Sequence, residues 1–233
     1  MAQIFSRSAN WASRASIIVG LVIAGSILGY VLNINRTYYV SKVNVPLDQP
    51  VPFSHKHHVT GMGIDCRYCH TTVETAAFAG IPPTETCMTC HSQVWTEAPI
   101  LEPVRASYRD NAPLEWTRVH DLPDFVYFNH SIHVAKGIGC QTCHGQVDQM
   151  PLMWKENTLN MEWCLECHRA PEKFIRPREE VFNMTWKPAA NQEEVGRQLV
   201  EEYQVRKVQL TDCSVCHNSV SYTHLTLPTS DLV

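Results

Sequence analysis

The chain has 233 residues, 44% of them hydrophobic, and a formal net charge of −4, a length that suits one domain or two small ones. It has no basic run and no nucleic-acid-binding motif, so we exclude nucleic acid as a partner. All ten of its cysteines fall into copies of one short pattern.

An uncharged apolar segment near the N terminus covers residues 16–34. About 20 helical residues span the ~30 Å hydrocarbon core of a bilayer. We therefore predict a transmembrane anchor helix over residues 16–35, with residues 1–15 in the cytoplasm. A cleaved signal peptide is the alternative, because Ala24-Gly25-Ser26 offers small residues for cleavage. The apolar segment continues past this point, which favours an uncleaved anchor.

Five copies of the pattern C-x-x-C-H lie at residues 66–70, 87–91, 140–144, 164–168 and 213–217. This spacing is the attachment signature of c-type haem, in which two cysteines bind the porphyrin and the histidine binds the iron. Five disulfides would leave the histidines unexplained, and zinc ribbons use two such pairs per ion. We therefore predict five covalently bound haem c groups with their iron. The cysteines are Cys66, Cys69, Cys87, Cys90, Cys140, Cys143, Cys164, Cys167, Cys213 and Cys216, and the proximal histidines are His70, His91, His144, His168 and His217.

The membrane side follows from the same motifs, because haem is attached to them outside the cytoplasmic membrane. We therefore predict a single-pass protein of the cytoplasmic (inner) membrane. Residues 36–219 would form a pentahaem cytochrome c domain in the periplasm or its equivalent.

An internal duplication begins at Phe53 and Phe128, each followed by F-x-H-x-x-H-V, a Gly/Ile pair and two haem motifs. The two units cover about residues 53–91 and 128–168. Two extra histidines in each unit would serve as distal ligands and complete two six-coordinate haems. Histidines three residues apart in a helical turn lie on neighbouring faces, so each pair could reach two adjacent haems. The predicted distal ligands are His55, His58, His130 and His133.

The fifth haem, in about residues 190–217, lies outside this duplication and needs a distal ligand from elsewhere. His120 is our first candidate, a methionine ligand is the second, and an open site is the third. We expect His57 to face solvent or a propionate. The candidate methionines are Met150, Met153, Met161 and Met184.

The predicted fold is mainly α with little regular secondary structure, one N-terminal transmembrane helix and a multihaem cytochrome c domain built round five haems. Four prolines interrupt any long helix in the linker at residues 92–127. A helix is predicted at about residues 192–206, with Asn191 and Glu194 as a capping pair. Its apolar stripe would pack on the fifth haem or on a partner. Six arginines are candidates for haem propionates, although solvated arginine is the simpler interpretation for any one of them: Arg105, Arg109, Arg118, Arg169, Arg176 and Arg178.

The C-terminal residues 220–229 read VSYTHLTLPT, which looks like translated adapter DNA from a sequencing library. We treat residues 220–233 as a suspected non-native tail and do not count His224 as a ligand.

The order of these features resembles the pentahaem cytochrome c subunit of alternative complex III. The resemblance covers about residues 1–218, including the anchor, the haem motifs and the segments at residues 38–58, 80–91, 118–133 and 160–169. It implies an electron-transfer subunit, without a catalytic site of its own, in a respiratory-chain complex that oxidises quinol. It also implies an iron–sulfur subunit, integral membrane quinol-binding subunits, a monohaem cytochrome c or terminal oxidase, and membrane lipid as partners.

Two other functions remain open from the sequence. A membrane-anchored multihaem quinol dehydrogenase acting with a periplasmic reductase would need a quinol pocket and an unusual distal ligand near residues 36–70. A multihaem reductase would need an open iron surrounded by catalytic side chains. The number of spare histidines argues against the reductase.

Overall fold

The computed structural model of the chain describes residues 5–6, 8–34 and 36–217; the suspected tail and His224 lie outside them. The chain divides into two compact units, one at residues 1–45 and the other from residue 46 onward.

The first unit contains helix α1 (Ala9–Ile34) and a short helix α2 (Tyr38–Ser41). In the described part of the chain, α1 is the one helix long and apolar enough to cross a membrane. Its large apolar side chains are exposed, and none of its residues is buried. At 1.5 Å per residue its 26 residues reach about 39 Å. The helix begins before the apolar segment because residues 9–15 contain no helix breaker. Its length and composition suit either a membrane anchor or a signal sequence.

The second unit is a series of short helices joined by irregular loops, as predicted. In the described residues no β-sheet forms, and only two isolated bridges occur, Val126 with His217 and Ile138 with Ile175. The α-helices are α3 (Cys66–Cys69), α4 (Thr84–His91), α5 (Glu102–Asp110), α6 (His130–Ala135), α7 (Cys140–His144), α8 (Met161–Arg169), α9 (Gln192–Glu202) and α10 (Cys213–Cys216). A π-helical turn covers Lys56–Gly61, and 3₁₀ turns cover Pro99–Leu101, Val147–Gln149, Pro171–Lys173, Arg178–Glu180 and Lys207–Gln209.

The prolines of the linker act in two ways. Pro103 lies in the first turn of α5, where a helix tolerates proline because that N–H has no intrahelical acceptor. The linker therefore contains a nine-residue helix, which ends at Asn111 in the left-handed conformation (φ 49°).

The apolar core of the second unit is small. One cluster joins Val51, Leu101 and Val104, and a second joins Ile175, Leu199 and Tyr203. A domain of this length normally buries more apolar side chains than these clusters hold. The fold therefore leaves room for porphyrin faces to supply apolar contact, as the sequence predicts.

Helix α9 differs from its prediction in three respects. It ends at Glu202 rather than near residue 206, because Gln204 adopts a left-handed conformation (φ 53°). The Asn191 side chain makes no capping hydrogen bond; its backbone carbonyl accepts from the Glu194 amide instead. The apolar stripe contacts Ile175, which the sequence did not indicate. The close approach requires Gly196, because a Cβ there would overlap the Glu172 carbonyl.

Candidate haem-binding sites

Each C-x-x-C-H motif begins in a helical turn, which brings its two cysteines to one face. All ten cysteines are free; Cys90 and Cys213 are exposed and the others are partly buried. A Cys₄ zinc site needs four ligands around one ion, and among the described residues no three His, Cys, Asp or Glu side chains gather in that way. The zinc interpretation therefore gains no support.

Three proximal histidines have their Nδ1 atoms held by backbone carbonyls. His70 Nδ1 lies 2.7 Å from the Gly80 oxygen, His91 Nδ1 lies 3.1 Å from Val94, and His168 Nδ1 lies 2.8 Å from Leu210. A carbonyl only accepts, so each Nδ1 must carry the proton. This tautomer leaves Nε2 as the nitrogen that can bind iron and fixes the orientation of the ring.

Three of the four predicted distal histidines have the same arrangement. His58 Nδ1 donates to Ser54 (2.8 Å), His133 Nδ1 to Asn129 (2.7 Å) and His130 Nδ1 to Ala77 (2.9 Å). Burial lowers the pKa of His58 and of His133, despite the backbone hydrogen bonds that raise it. Neutral rings with a free Nε2 are the form that ligates a metal.

Three proximal–distal pairs lie at the spacing that one shared iron requires. An imidazole nitrogen binds a first-row metal at about 2 Å and lies about 1 Å from its ring centre, so two rings sharing one ion have centres about 6 Å apart. The ring centres are 6.3 Å apart for His58 and His91, 6.3 Å for His130 and His144, and 6.2 Å for His133 and His168. The donor sets therefore fit haem iron with two axial histidines.

The two repeats place their histidines against phenylalanine in the same way. Phe53 meets His55 edge-on at 4.9 Å and stacks on His58 at 4.4 Å. In the second repeat, Phe128 meets His130 edge-on at 4.7 Å and stacks on His133 at 4.6 Å. The two repeats identified in the sequence thus also hold their histidine rings in the same geometry.

His55 is the fourth predicted distal ligand, and the repeat indicates its partner. It occupies the position of His130, and burial lowers its pKa to about 4, with a further contribution from His70. Its Nδ1 is buried without a hydrogen-bond partner in the described part of the chain. The repeat therefore matches His55 with His70, as it matches His130 with His144.

Comparison with known proteins agrees with this geometry. The family model of cytochrome c7 and related cytochrome c matches residues 126–225, which contain three of the five motifs. The multiheme cytochrome c subunit of menaquinone reductase from Nitratidesulfovibrio vulgaris (strain Hildenborough) is 32% identical over 142 residues. That match covers 52% of this chain and 68% of the relative. The chain belongs to the multihaem cytochromes c. Covalent haem c, iron and electron transport follow from the family.

The attachment sites of this multihaem cytochrome lie next to one another in the described part of the chain. Thiols in different motifs lie close enough to interact electrostatically in five pairs: Cys69 with Cys87, Cys66 with Cys140, Cys143 with Cys164 and with Cys167, and Cys164 with Cys216. Numbered along the chain, the motifs therefore follow one another in space as second, first, third, fourth and fifth.

Burial varies along this series. In the third motif, burial raises the pKa of the Cys140 thiol to about 11 and that of Cys143 to about 12, and in the adjoining fourth motif it raises the pKa of Cys167 to about 11. The exposed cysteines, Cys90 and Cys213, belong to the two end motifs. The series therefore has a desolvated centre and two ends that reach the surface.

Reciprocal hydrogen bonds tie the repeats of the cytochrome together. The His130 and Ser131 amides donate to the carbonyls of Ala77 and Ala76, in the loop after the first motif. The Lys56 amide donates to the Met150 carbonyl, and Thr60 Oγ1 donates to the Asp148 carbonyl, both in the segment after the third motif. The helical segment that carries the predicted distal histidines of each repeat, which we call its ligand helix, is therefore held by hydrogen bonds to the other repeat.

His120 lies beside the third motif rather than beside the fifth. Its Nε2 is 3.2 Å from His144 Nδ1, and the ring centres are 4.3 Å apart. His217 instead stacks on Phe125, with ring centres 5.8 Å apart. The structure thus does not bring His120 and His217 together. Among the candidate methionines, Met150 is fully buried near the first repeat and Met161 is 61% exposed.

Some of the site could not be read from the motifs. The carbonyls of Gly80, Ala77 and Leu210 carry no side-chain signal, so the sequence does not mark them as partners of histidine. The sequence showed Phe53 and Phe128 as matching positions of the repeat, but it did not show that their rings stack on His58 and His133. His57 is exposed and stacks on Trp95 at 6.0 Å.

Proposed function

We propose that this cytochrome is the membrane-anchored pentahaem electron-transfer subunit of a quinol-oxidising respiratory complex, similar to alternative complex III. One observation carries the proposal: five attachment motifs form a single series with a desolvated centre and exposed ends. A chain of redox sites with one terminus at each end suits transfer between two partners better than conversion of a substrate.

The bound haems supply reversible one-electron storage. The chain supplies attachment, orientation and the environment of each iron. Ten of its histidines serve this purpose or support it: five proximal, four distal, and His120 in contact with His144. Two axial histidines at each of the four duplicated motifs would leave those irons no position for a substrate, so we assign no catalytic residue there.

Helix α1 supports a membrane anchor in this proposal, because it is long and apolar enough to span a bilayer. The haem domain would then lie on the periplasmic side, where haem attachment takes place. An iron–sulfur subunit and integral membrane quinol-binding subunits would supply electrons, and a monohaem cytochrome c or a terminal oxidase would receive them.

Purification tests the proposal. We would tag the chain at its C terminus, solubilise native membranes in mild detergent and identify the co-purifying subunits by mass spectrometry. We expect iron–sulfur and polytopic membrane subunits, reduction of the haems by added quinol in the complex, and no quinol oxidation by the isolated subunit. Quinol oxidation by the isolated subunit would favour the membrane-anchored quinol dehydrogenase instead.

A second direction of transfer is favoured by the relative from Nitratidesulfovibrio vulgaris, whose name describes a menaquinone reductase. In that case electrons would enter from a periplasmic donor and leave to quinone. The same purified complex separates the two directions. Reduction of a menaquinone analogue by pre-reduced periplasmic cytochrome c, without the reverse reaction, would support the second direction.

A further inference from the structure

Arg176 is a buried cation that forms no ion pair in the described part of the chain. Only 2% of its surface is exposed, and in the described part of the chain no acidic side chain forms an ion pair with it within 4.0 Å. Its guanidinium lies over the Trp186 ring at 4.0 Å, and its Nε is buried without a hydrogen-bond partner. Burial lowers its pKa, but arginine remains protonated in proteins.

The guanidinium is fixed beneath the third haem motif. Its Nη2 donates to Thr142 Oγ1 (3.2 Å), which lies between the two cysteines of that motif. Gly139 precedes the motif, and a Cβ there would overlap the guanidinium. The Arg176 amide donates to the Gly137 carbonyl at 2.9 Å, beside the Ile138–Ile175 bridge. The charge is therefore held by both backbone and side-chain contacts.

The equivalent position of the first repeat has the opposite character. Asp65 stands where the second repeat has Gly139, directly before the first cysteine. It accepts from the neighbouring Arg67 at 2.9 Å in an ion pair whose side chains are each 48% exposed. The first motif thus has a solvated ion pair, and the third has a buried positive charge with no ion-pair partner within 4.0 Å among the described residues.

We propose that Arg176 raises the reduction potential of the iron at the third motif above that at the first, which is its duplicate. The inference rests on the proposed electron-transfer function. A positive charge stabilises the reduced iron, which carries one positive charge fewer. At an effective dielectric of about 20, one unit charge changes a one-electron equilibrium about tenfold at about 12 Å. Arg176 contacts Thr142, two residues from the ligand His144, so an effect of this order is expected.

The consequence for the series is that its central position holds an electron more readily than its neighbour in the first repeat. The two duplicated sites have the same axial ligands but differ in two respects: His120 contacts His144, and the buried Arg176 stands where the first repeat has the exposed pair of Asp65 with Arg67. We assign to Arg176 the part of the difference in potential that comes from its charge.

Redox titration of the intact purified cytochrome, monitored by absorbance and electron paramagnetic resonance, tests this role. We expect R176M to shift one midpoint downward by about tenfold in equilibrium, about 59 mV for one electron, with the spin state of every haem as in wild type. R176K keeps the charge and should restore most of the potential, although its packing differs. R67M is the matched control, because that cation is exposed and paired, and should leave all midpoints near wild type.

If R176M fails to assemble, E180Q decides the question. Glu180 interacts electrostatically with Arg176, and glutamine can still accept from Asn183 Nδ2 as the carboxylate does. Removing this negative charge should raise the same midpoint. Unchanged midpoints in the variants that assemble, or equal shifts in R176M and R176K, would overturn the proposal. Equilibrium titration needs no quinol. Failure of the Arg176 proposal can therefore be told apart from failure of the proposed quinol-linked function.

Discussion

Replacing His58 by alanine should remove one axial ligand and leave the neighbouring residues in place. The His58 ring lies 6.3 Å from His91, donates from Nδ1 to the Ser54 carbonyl and stacks on Phe53. Without it, the iron at the second motif loses its sixth ligand. His57 is the matched control, because it is adjacent in sequence but exposed and stacked on Trp95 instead.

The magnitude follows from the number of motifs. With one haem at each of the five motifs, loss of one distal ligand should convert one haem to high-spin and leave the spin states of the other four unchanged. The protein itself loses an aromatic contact of about 1 kcal/mol and a hydrogen bond of about 1 kcal/mol. Such a loss should weaken the domain without unfolding it. The covalent attachment of all five haems should persist, because the cysteines are untouched.

Low-temperature electron paramagnetic resonance measures the spin states, and intact-protein mass spectrometry counts the attached haems. H58A should show a high-spin signal that H57A lacks. The ligand pairing would be refuted if H58A kept a fully low-spin spectrum with five haems attached, or if H57A gained the same high-spin signal.

Three further outcomes are expected. H120A should keep every haem low-spin and shift one midpoint, because His120 contacts His144; a new high-spin signal in resonance spectra would instead support the sequence-based assignment of His120 as an iron ligand. G196A should lower the free energy of unfolding by about 2 kcal/mol in denaturant titration, because overlap with Glu172 costs about 1–3 kcal/mol and outweighs the gain in helix propensity. G61A, whose Cβ would make only ordinary contacts, is its control, and equal stability of the two variants would contradict the packing argument. Replacing residues 1–35 by a cleavable export signal should release a haem-loaded domain from washed membranes. If partner subunits alone hold the domain at the membrane, it will stay there, and fractionation of the complex will show it bound to them.

The sequence predicted those parts of the site that depend on short spacing. Attachment of a porphyrin requires two cysteines and a histidine within five residues, and paired distal ligands require histidines three apart in one turn. Both constraints are local, so C-x-x-C-H and F-x-H-x-x-H are visible without a structure. The short helices and the absence of a sheet in the described residues also followed from the composition of the loops.

The remaining features depend on contacts between distant segments. The sequence placed His120 with the fifth motif by elimination, yet the fold brings it to His144. The stripe of α9 was visible, but its partner Ile175 was not. Arg176 was one of six equivalent candidates until burial separated it from the others. Elimination and periodicity identify which side chains are available, and long-range packing decides where they act.

The order of the haem series is a consequence of the duplication. Each repeat supplies its first motif, and the loop after that motif, to the ligand helix of the other repeat: Ala77 contacts His130, and Asp148 contacts Thr60. Reciprocal contacts of this kind bring the two first motifs to the centre, and the second motif of each repeat then lies on the outside. The four duplicated sites therefore follow one another as second, first, third and fourth. The fifth motif extends the series at one end only, through Cys216 beside Cys164. A symmetrical pair of repeats thus becomes an asymmetric series of attachment motifs.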